Sequence, residues 1–115
     1  MVILSVRKLT SLRQKIQGLI GKEQIEPIYF ETRWGIHTFF VKKSIDVIIL
    51  DQQGLVQKIK INLQPNRIFI WNPVFYRVVE LPAGTVKKQK IMQGVTRVKL
   101  AESSCEFYKR QDPKH

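Results

Sequence analysis

A chain of 115 residues with 43% hydrophobic side chains can bury one core and is too short for several, since domains of this size remove about two-thirds of their unfolded surface from water. Its 20 lysines and arginines against 9 aspartates and glutamates leave a net charge of +11, more than solubility requires, which points to an anionic partner. Cys105 alone can form neither an internal disulfide nor a cysteine cluster for zinc, and the apolar run at Met1 to Val6 falls short of a signal-peptide core and of the roughly 20 residues of a membrane helix, so the expectation is a cytoplasmic protein without a membrane span.

Val2 to Val6 reads as a short strand. Ser11 to Ile20 reads as a helix with Leu12, Ile16, Leu19 and Ile20 on one side, Thr10 or Ser11 as its cap, and Gly21 ending it in a left-handed turn. β character then dominates. Pro27 to Phe30, Thr38 to Val41 and Asp46 to Leu50 carry the aromatic and branched side chains that suit a pleated, half-buried surface. Asp51-Gln52-Gln53-Gly54 has Asp at the first turn position and Gly where a positive φ is needed, so it predicts a tight hairpin into a strand over Leu55 to Leu63. That strand alternates Ile59, Ile61 and Leu63, expected inside, with Lys58, Lys60 and Asn62, expected in water. Arg67 to Trp71 and Tyr76 to Leu81 follow as strands. Leu81-Pro82-Ala83-Gly84 breaks the ladder, Thr85 can cap one helical turn over Val86 to Lys90, and Thr96 to Ala101 is the last strand. Closely spaced short strands predict a mainly β domain over residues 1–108, a β-sandwich, jelly-roll-like or barrel fold with one or two short helices, followed by a polar, disordered tail at 109–115.

Four blocks carry a family pattern: Gly35-Ile36-His37-Thr38-Phe39, Ile45-Asp46-Val47-Ile48-Ile49-Leu50-Asp51, Asn62-Leu63-Gln64-Pro65-Asn66-Arg67-Ile68, and Val79-Glu80-Leu81-Pro82-Ala83-Gly84-Thr85. With Gly18-Leu19-Ile20 upstream, these resemble the uncharacterised prokaryotic domain-of-unknown-function family 192, from about Arg13 through Leu100. The resemblance implies a compact β-sandwich or jelly-roll-like fold and marks Gly18, His37, Thr38, Asp46, Asp51, Glu80, Pro82 and Gly84 as family-motif positions. It implies no activity. Phe40 and Val41, Ser44 and Val95 depart from the family's usual residues.

Candidate chemistry is sparse. His37 with Asp46 and Glu80 could make an acid/base site, because proton transfer needs a group titrating near neutrality beside an orienting carboxylate, but no serine or cysteine nucleophile motif accompanies them. Asp46 and Asp51 are an odd number of residues apart and face opposite ways on one strand, which disfavours a paired-carboxylate glycosidase. With only His37 and His115 as histidines, no metal is expected; neither a phosphate loop nor a dinucleotide fingerprint is present, so no cofactor is expected either. A non-enzymatic role is the better fit.

Charge placement says more. Residues 1–55 carry 8 basic and 5 acidic side chains, residues 56–99 carry 9 and 1, and residues 100–115 carry 3 and 3, so the excess sits in the second half. Lys58 and Lys60 share a strand face, Arg97 and Lys99 share another, and Lys87, Lys88 and Lys90 crowd one turn. Arg67, Phe69 and Trp71 alternate onto one face with Phe75, Tyr76 and Arg77 beyond, which would set stacking platforms beside cations for nucleic acid or another polyanion; alternatively Phe69 and Trp71 are core, with Ile68 and Ile70 covered by a second layer. A carbohydrate or small-ligand site built on Trp34, Trp71 and Tyr76 is the competing expectation. The candidate binding residues are Lys58, Lys60, Arg67, Trp71, Arg77, Lys87, Lys88 and Lys90.

Overall fold

The structure, a computed structural model, describes residues 1–9, 27–38 and 43–102; the expected helix at 11–20, Gly18, Gly21 and the tail lie outside them. The strands are β1 (Val2–Lys8), β2 (Ile28–Glu31), β3 (Gly35–His37), β4 (Ile45–Leu50), β5 (Val56–Leu63), β6 (Ile68–Ile70), β7 (Arg77–Pro82) and β8 (Val98–Glu102), with one helical turn α1 (Thr85–Lys88) between β7 and β8. Six strands form one sheet in the order β5-β4-β7-β2-β1-β8, and β3 with β6 forms a separate ribbon. The fold is mainly β, as the short apolar runs predict.

The sheet curls until its two edges meet. Leu55 bridges Arg97, the Val98 amide donates to the Gly54 carbonyl at 2.8 Å, and the Val56 amide donates to the Thr96 carbonyl at 2.9 Å. A seam between β5 and β8 thus turns the sheet into a half-barrel. Leu4, Val6, Tyr29, Ile48, Leu50, Val56, Val79, Leu81 and Val98 fill its inside, with Val86 and Ile91 from the α1 segment closing one mouth. On the outside, Ile28, Phe30, Ile45, Val47, Ile49 and Val78 pack against Phe69 and Trp71 of the ribbon. β4 is buried along its whole length because it serves both cores, and each of its apolar side chains contributes about 1.5–3 kcal/mol.

Local chemistry explains the turns. Asp51 Oδ1 accepts the Gln53 and Leu55 amides at 2.9 Å each, and Gly54 takes φ +86 at the end of the hairpin, as its sequence predicts. A Cβ on Gly54 would lie 2.5 Å from the Val98 carbonyl oxygen, so glycine is also what lets the seam close.

Three expectations need correction, and a fourth falls outside the described residues. Ile61 is exposed rather than buried: between the Ile45–Leu63 and Val47–Lys60 pairs, Asp46 alone on β4 faces both Ile61 and Asn62 on β5, a bulge with Asn62 at φ +54 that breaks the alternation. The strand expected at Thr38 to Val41 lies outside the described residues except for Thr38, which directly follows β3 (Gly35–His37). Ile68 and Ile70 have no covering layer among the described residues and are exposed. Thr85 does not cap α1; its hydroxyl donates to the Pro82 carbonyl at 2.7 Å, and the Gly84 and Val86 amides donate instead to Asp46 Oδ2 at 3.0 Å each.

A candidate ligand cleft

The acid/base constellation does not assemble. Asp46 shares the inner face with Ile48 and Leu50, whereas Glu80 lies opposite Ile28 and Val47 on the outer face, so the sheet itself separates the two carboxylates. Both are 1% exposed. Asp46 holds the fold: Oδ1 accepts the Asn62 amide at 2.9 Å while Oδ2 takes the two α1 amides. His37 is exposed on the ribbon, in register with Ile68. Its neighbour Thr38 is buried, donating to the Gln64 carbonyl at 2.7 Å and accepting the Arg67 amide at 2.9 Å, which fixes the β3–β6 connection. Pro82 ends β7, and Gly84 supplies φ +94 at the entrance to α1. The family-motif positions within the described residues are thus largely turn and cap positions.

The proposed stacking surface also fails. Trp71 is buried, its indole 5.5 Å from Phe69 and its Nε1 donating to the Phe75 carbonyl at 2.8 Å, so neither of these rings is available to a base or sugar. The reason is parity: Phe69 and Trp71 alternate inward from the ribbon, which leaves Ile68 and Ile70 outside. Lys58 reaches back over the ribbon, with Nζ 5.3 Å from the Phe69 ring centre and donating to the Ile70 carbonyl at 3.1 Å. Lys60, Arg67, Lys87, Lys88 and Lys90 are exposed. They do not form one patch: Lys58 and Lys60 are on the outer face of β5, while Lys87, Lys88 and Lys90 stand at the mouth closed by α1.

Arg77 belongs to neither group. It stands at the other mouth of the half-barrel, in a cleft of about 470 Å³ lined by Val6, Lys8, Tyr29, Glu31, Gln52, Tyr76, Arg77 and Leu100. This volume lies within the usual range for small-molecule sites, about 300–1,000 Å³. Strands β1, β2, β4 and β8 all run toward this mouth, so their ends and the Asp51 hairpin converge on it. The polar lining is cross-braced. Tyr29 donates to Glu31 Oε2 at 2.8 Å, Arg77 Nε donates to the Tyr29 hydroxyl oxygen at 3.1 Å, and Arg77 Nη1 donates to the Asp51 and Gln52 carbonyls at 3.0 and 3.2 Å. Burial pushes the Tyr29 phenol above its ordinary pKa; the Arg77 hydrogen bond opposes this and the one to Glu31 adds to it, leaving a protonated donor through the neutral range. Tyr76 lines the rim, with the Arg33 guanidinium 4.8 Å from its ring centre.

Sequence reasoning reached Arg77 and Tyr76 but missed Lys8, Tyr29, Glu31 and Gln52. A signal was available: Tyr29 and Glu31 alternate onto one face of a short strand, and polar tips at a strand end mark a mouth rather than a core. What the sequence could not supply was the register that sets Arg77 opposite Glu31. Among the described residues no group of three or more His, Cys, Asp or Glu could hold a metal ion, and no helix is long and apolar enough to cross a membrane.

No family model matches the chain. It is 42% identical over 67 residues to a UPF0127 protein of Pyrococcus abyssi (strain GE5 / Orsay), a match covering 56% of each chain, so the likeness spans little more than half of that relative. Among solved structures, it resembles a candidate transcription regulator from Sinorhizobium meliloti 1021 (TM-score 0.67, 25% identity, 77% of this chain and 76% of that one). A protein of unknown function from Novosphingobium aromaticivorans DSM 12444 shares the fold (TM-score 0.66, 15% identity, 76% of this chain and 69% of that one). The chain is thus similar to an uncharacterised family and shares its β-rich fold with proteins from two bacteria.

Proposed function

We propose that this chain is a non-enzymatic member of domain-of-unknown-function family 192 that binds a small, hydroxyl-rich ligand of the carbohydrate class in the cleft at the open mouth of the half-barrel. The supporting observation is the convergence of Lys8, Glu31, Tyr29, Tyr76, Gln52 and Arg77 on one concavity of ligand size. Donors and acceptors are mixed there, which suits hydroxyl groups that act as both. The Tyr29–Glu31–Arg77 bracing holds the polar tips before a ligand arrives, which reduces the ordering cost of binding. The test is titration with a panel of neutral and acidic sugars, followed by amide chemical shifts. Shifts should cluster at Lys8, Glu31, Gln52 and Tyr76, and Tyr76→Ala should weaken binding about tenfold. A panel that leaves these amides unmoved up to about 10 mM would refute the reading.

A second reading rests on a different surface. Lys60 and Lys99 project from the outer faces of β5 and β8 on either side of the seam, with Lys58 and Arg97 beside them, and a polyanion could lie across this basic strip. The description of the Sinorhizobium relative as a candidate transcription regulator makes nucleic acid the polyanion to try first. Anisotropy titration of short DNA and RNA across a salt series should show steep salt dependence, and Lys60→Glu with Lys99→Glu should reduce that slope by about 0.9 for each phosphate no longer neutralised. Weak binding unchanged by the double variant would discard this reading.

A further inference from the structure

Gln52 and Tyr76 line the cleft and also a neighbouring groove of about 200 Å³, which runs between Asp51, Gln52 and Gln53 of the hairpin and Val74, Phe75 and Tyr76 of the loop before β7. That volume is below the roughly 300 Å³ at which small-molecule sites begin, so the groove is no site by itself; it adjoins the 470 Å³ cleft and lengthens it. Both walls are braced. On the hairpin side, the Asp51 carboxylate accepts the Gln53 and Leu55 amides, and Arg77 Nη1 donates to the Asp51 and Gln52 carbonyls. On the loop side, the Val74 amide donates to Asn72 Oδ1 and the Phe75 amide to the Asn72 carbonyl, both at 3.0 Å, while Arg33 Nη1 donates to the Pro73 carbonyl at 2.6 Å and the Thr32 amide to the Tyr76 carbonyl at 2.9 Å. From beneath, Trp71 Nε1 holds the Phe75 carbonyl. The bracing leaves side chains over: Val74 is 60% exposed, and the exposed Gln52 and Gln53 side-chain amides make no hydrogen bond among the described residues.

Building on the carbohydrate reading of the cleft, we infer that the groove is its second subsite and that the ligand is an oligosaccharide whose adjacent rings occupy the two, with Gln52 and Tyr76 at the bond that joins them. A sugar ring has an apolar face and a hydroxyl edge. Val74 and Phe75 offer the first an apolar wall, and the free amides of Gln52 and Gln53 offer the second both donors and acceptors. Because hairpin and loop are fixed beforehand, the second ring adds contacts at little ordering cost, and its tether to the first raises its effective concentration.

The test titrates the protein with glucose, mannose and galacturonate, with their linear di- and trisaccharides, and with phenyl glucoside, while amide chemical shifts are followed. A monosaccharide should move cleft amides such as Lys8 and Glu31; a disaccharide of the same sugar should also move Gln53, Val74 and Phe75 and bind about tenfold more tightly. Gln53→Ala with Val74→Ser alters two exposed side chains that line the groove and not the cleft, so it should remove the gain from the second ring and leave monosaccharide affinity as it was. Disaccharides that bind no better than their monosaccharides, with Gln53, Val74 and Phe75 unmoved, would overturn the subsite and leave the cleft standing. So would a gain for phenyl glucoside that no disaccharide matches, which would make the occupant an apolar group, or a disaccharide gain that survives the double variant. A panel that moves no amide of the cleft would remove the cleft reading and the subsite together.

Discussion

Replacing Asp46 tests whether this residue is structural or catalytic. Its carboxylate accepts three backbone amides from two distant segments, Asn62 at 2.9 Å and Gly84 and Val86 at 3.0 Å each, and thereby ties the β5 bulge and the entrance of α1 to β4. Asp46→Ala leaves three donors without their acceptor. The Val86 amide is buried and bears the full loss, while the Asn62 and Gly84 amides are near enough to the surface for water to recover part of theirs. With about 1–3 kcal/mol for each buried unsatisfied group, the expected cost is about 3 kcal/mol, a large share of the 5–15 kcal/mol typical of a domain. Asp46→Asn keeps one acceptor oxygen and turns a donor toward at least one amide, so about 2 kcal/mol is expected. Urea unfolding monitored by tryptophan emission measures both, and hydrogen exchange at Asn62, Gly84 and Val86 should accelerate locally in each variant. A loss below about 1 kcal/mol for Asp46→Ala, or unchanged exchange at these amides, would refute the argument.

The seam gives a second prediction: Gly54→Ala combines a left-handed φ with a Cβ 2.5 Å from a backbone oxygen, so unfolding should show a loss of about 3 kcal/mol, and retention of full stability would mean that the sheet edges do not meet there. At the hairpin, burial raises the Asp51 carboxyl, but hydrogen bonds from the Gln57 side chain and the Leu55 and Gln53 amides, with the charge of Arg97, outweigh it and hold its pKa below the ordinary value of 3.8. Such a depressed group stabilises the fold above its unfolded pKa, and that contribution is lost as pH falls through the lower folded value. The stability gap between wild type and Asp51→Asn should therefore be constant above about pH 4 and shrink below it, and a gap unchanged in acid would show that the carboxylate contributes nothing.

How much of this could be read from the sequence varies by element. The Asp51-Gln52-Gln53-Gly54 hairpin was fully legible because its geometry follows from side-chain capping and one positive φ, both local properties. β4 was legible as an apolar run, although a single run does not reveal that it serves two cores. Asp46 as the cap of α1 was not legible, since donor and acceptor are separated by about forty residues and only the β4–β7 register brings them together. Whether Trp71 is a platform or core stayed open in the sequence, its alternation with Ile70 being symmetrical until the ribbon's packing face is known, and the structure places it in the core. The cleft was hidden for the same reason: its lining comes from five separate segments, four of which contribute one or two polar tips each and the fifth only Leu100.

The distribution of the lysines rests on one further irregularity. Val56 points into the half-barrel while Lys58 and Lys60 point out, although on a regular strand residues two apart share a face. The resolution is the register shift between Ile49 and Leu50: Lys58 faces Ile49 and Val56 faces Leu50, so Gln57 is the extra residue of a bulge. Its side chain is used locally, Nε2 donating to Asp51 Oδ2 at 2.9 Å. Deleting Gln57 removes the bulge and makes Val56 and Lys58 adjacent, so on a regular strand Val56 stays opposite Leu50 and faces in while Lys58 and Lys60 stay opposite Ile49 and Val47 and face out. The loss is then centred on the hydrogen bond to Asp51, so by urea unfolding the deletion should cost about 1 kcal/mol, close to Gln57→Ala, and both lysines should remain in water. A deletion variant that is unfolded or molten by near-ultraviolet circular dichroism would refute this account, because it would mean that the hairpin and the Gly54 seam need the extra residue for more than the facing of Lys58 and Lys60.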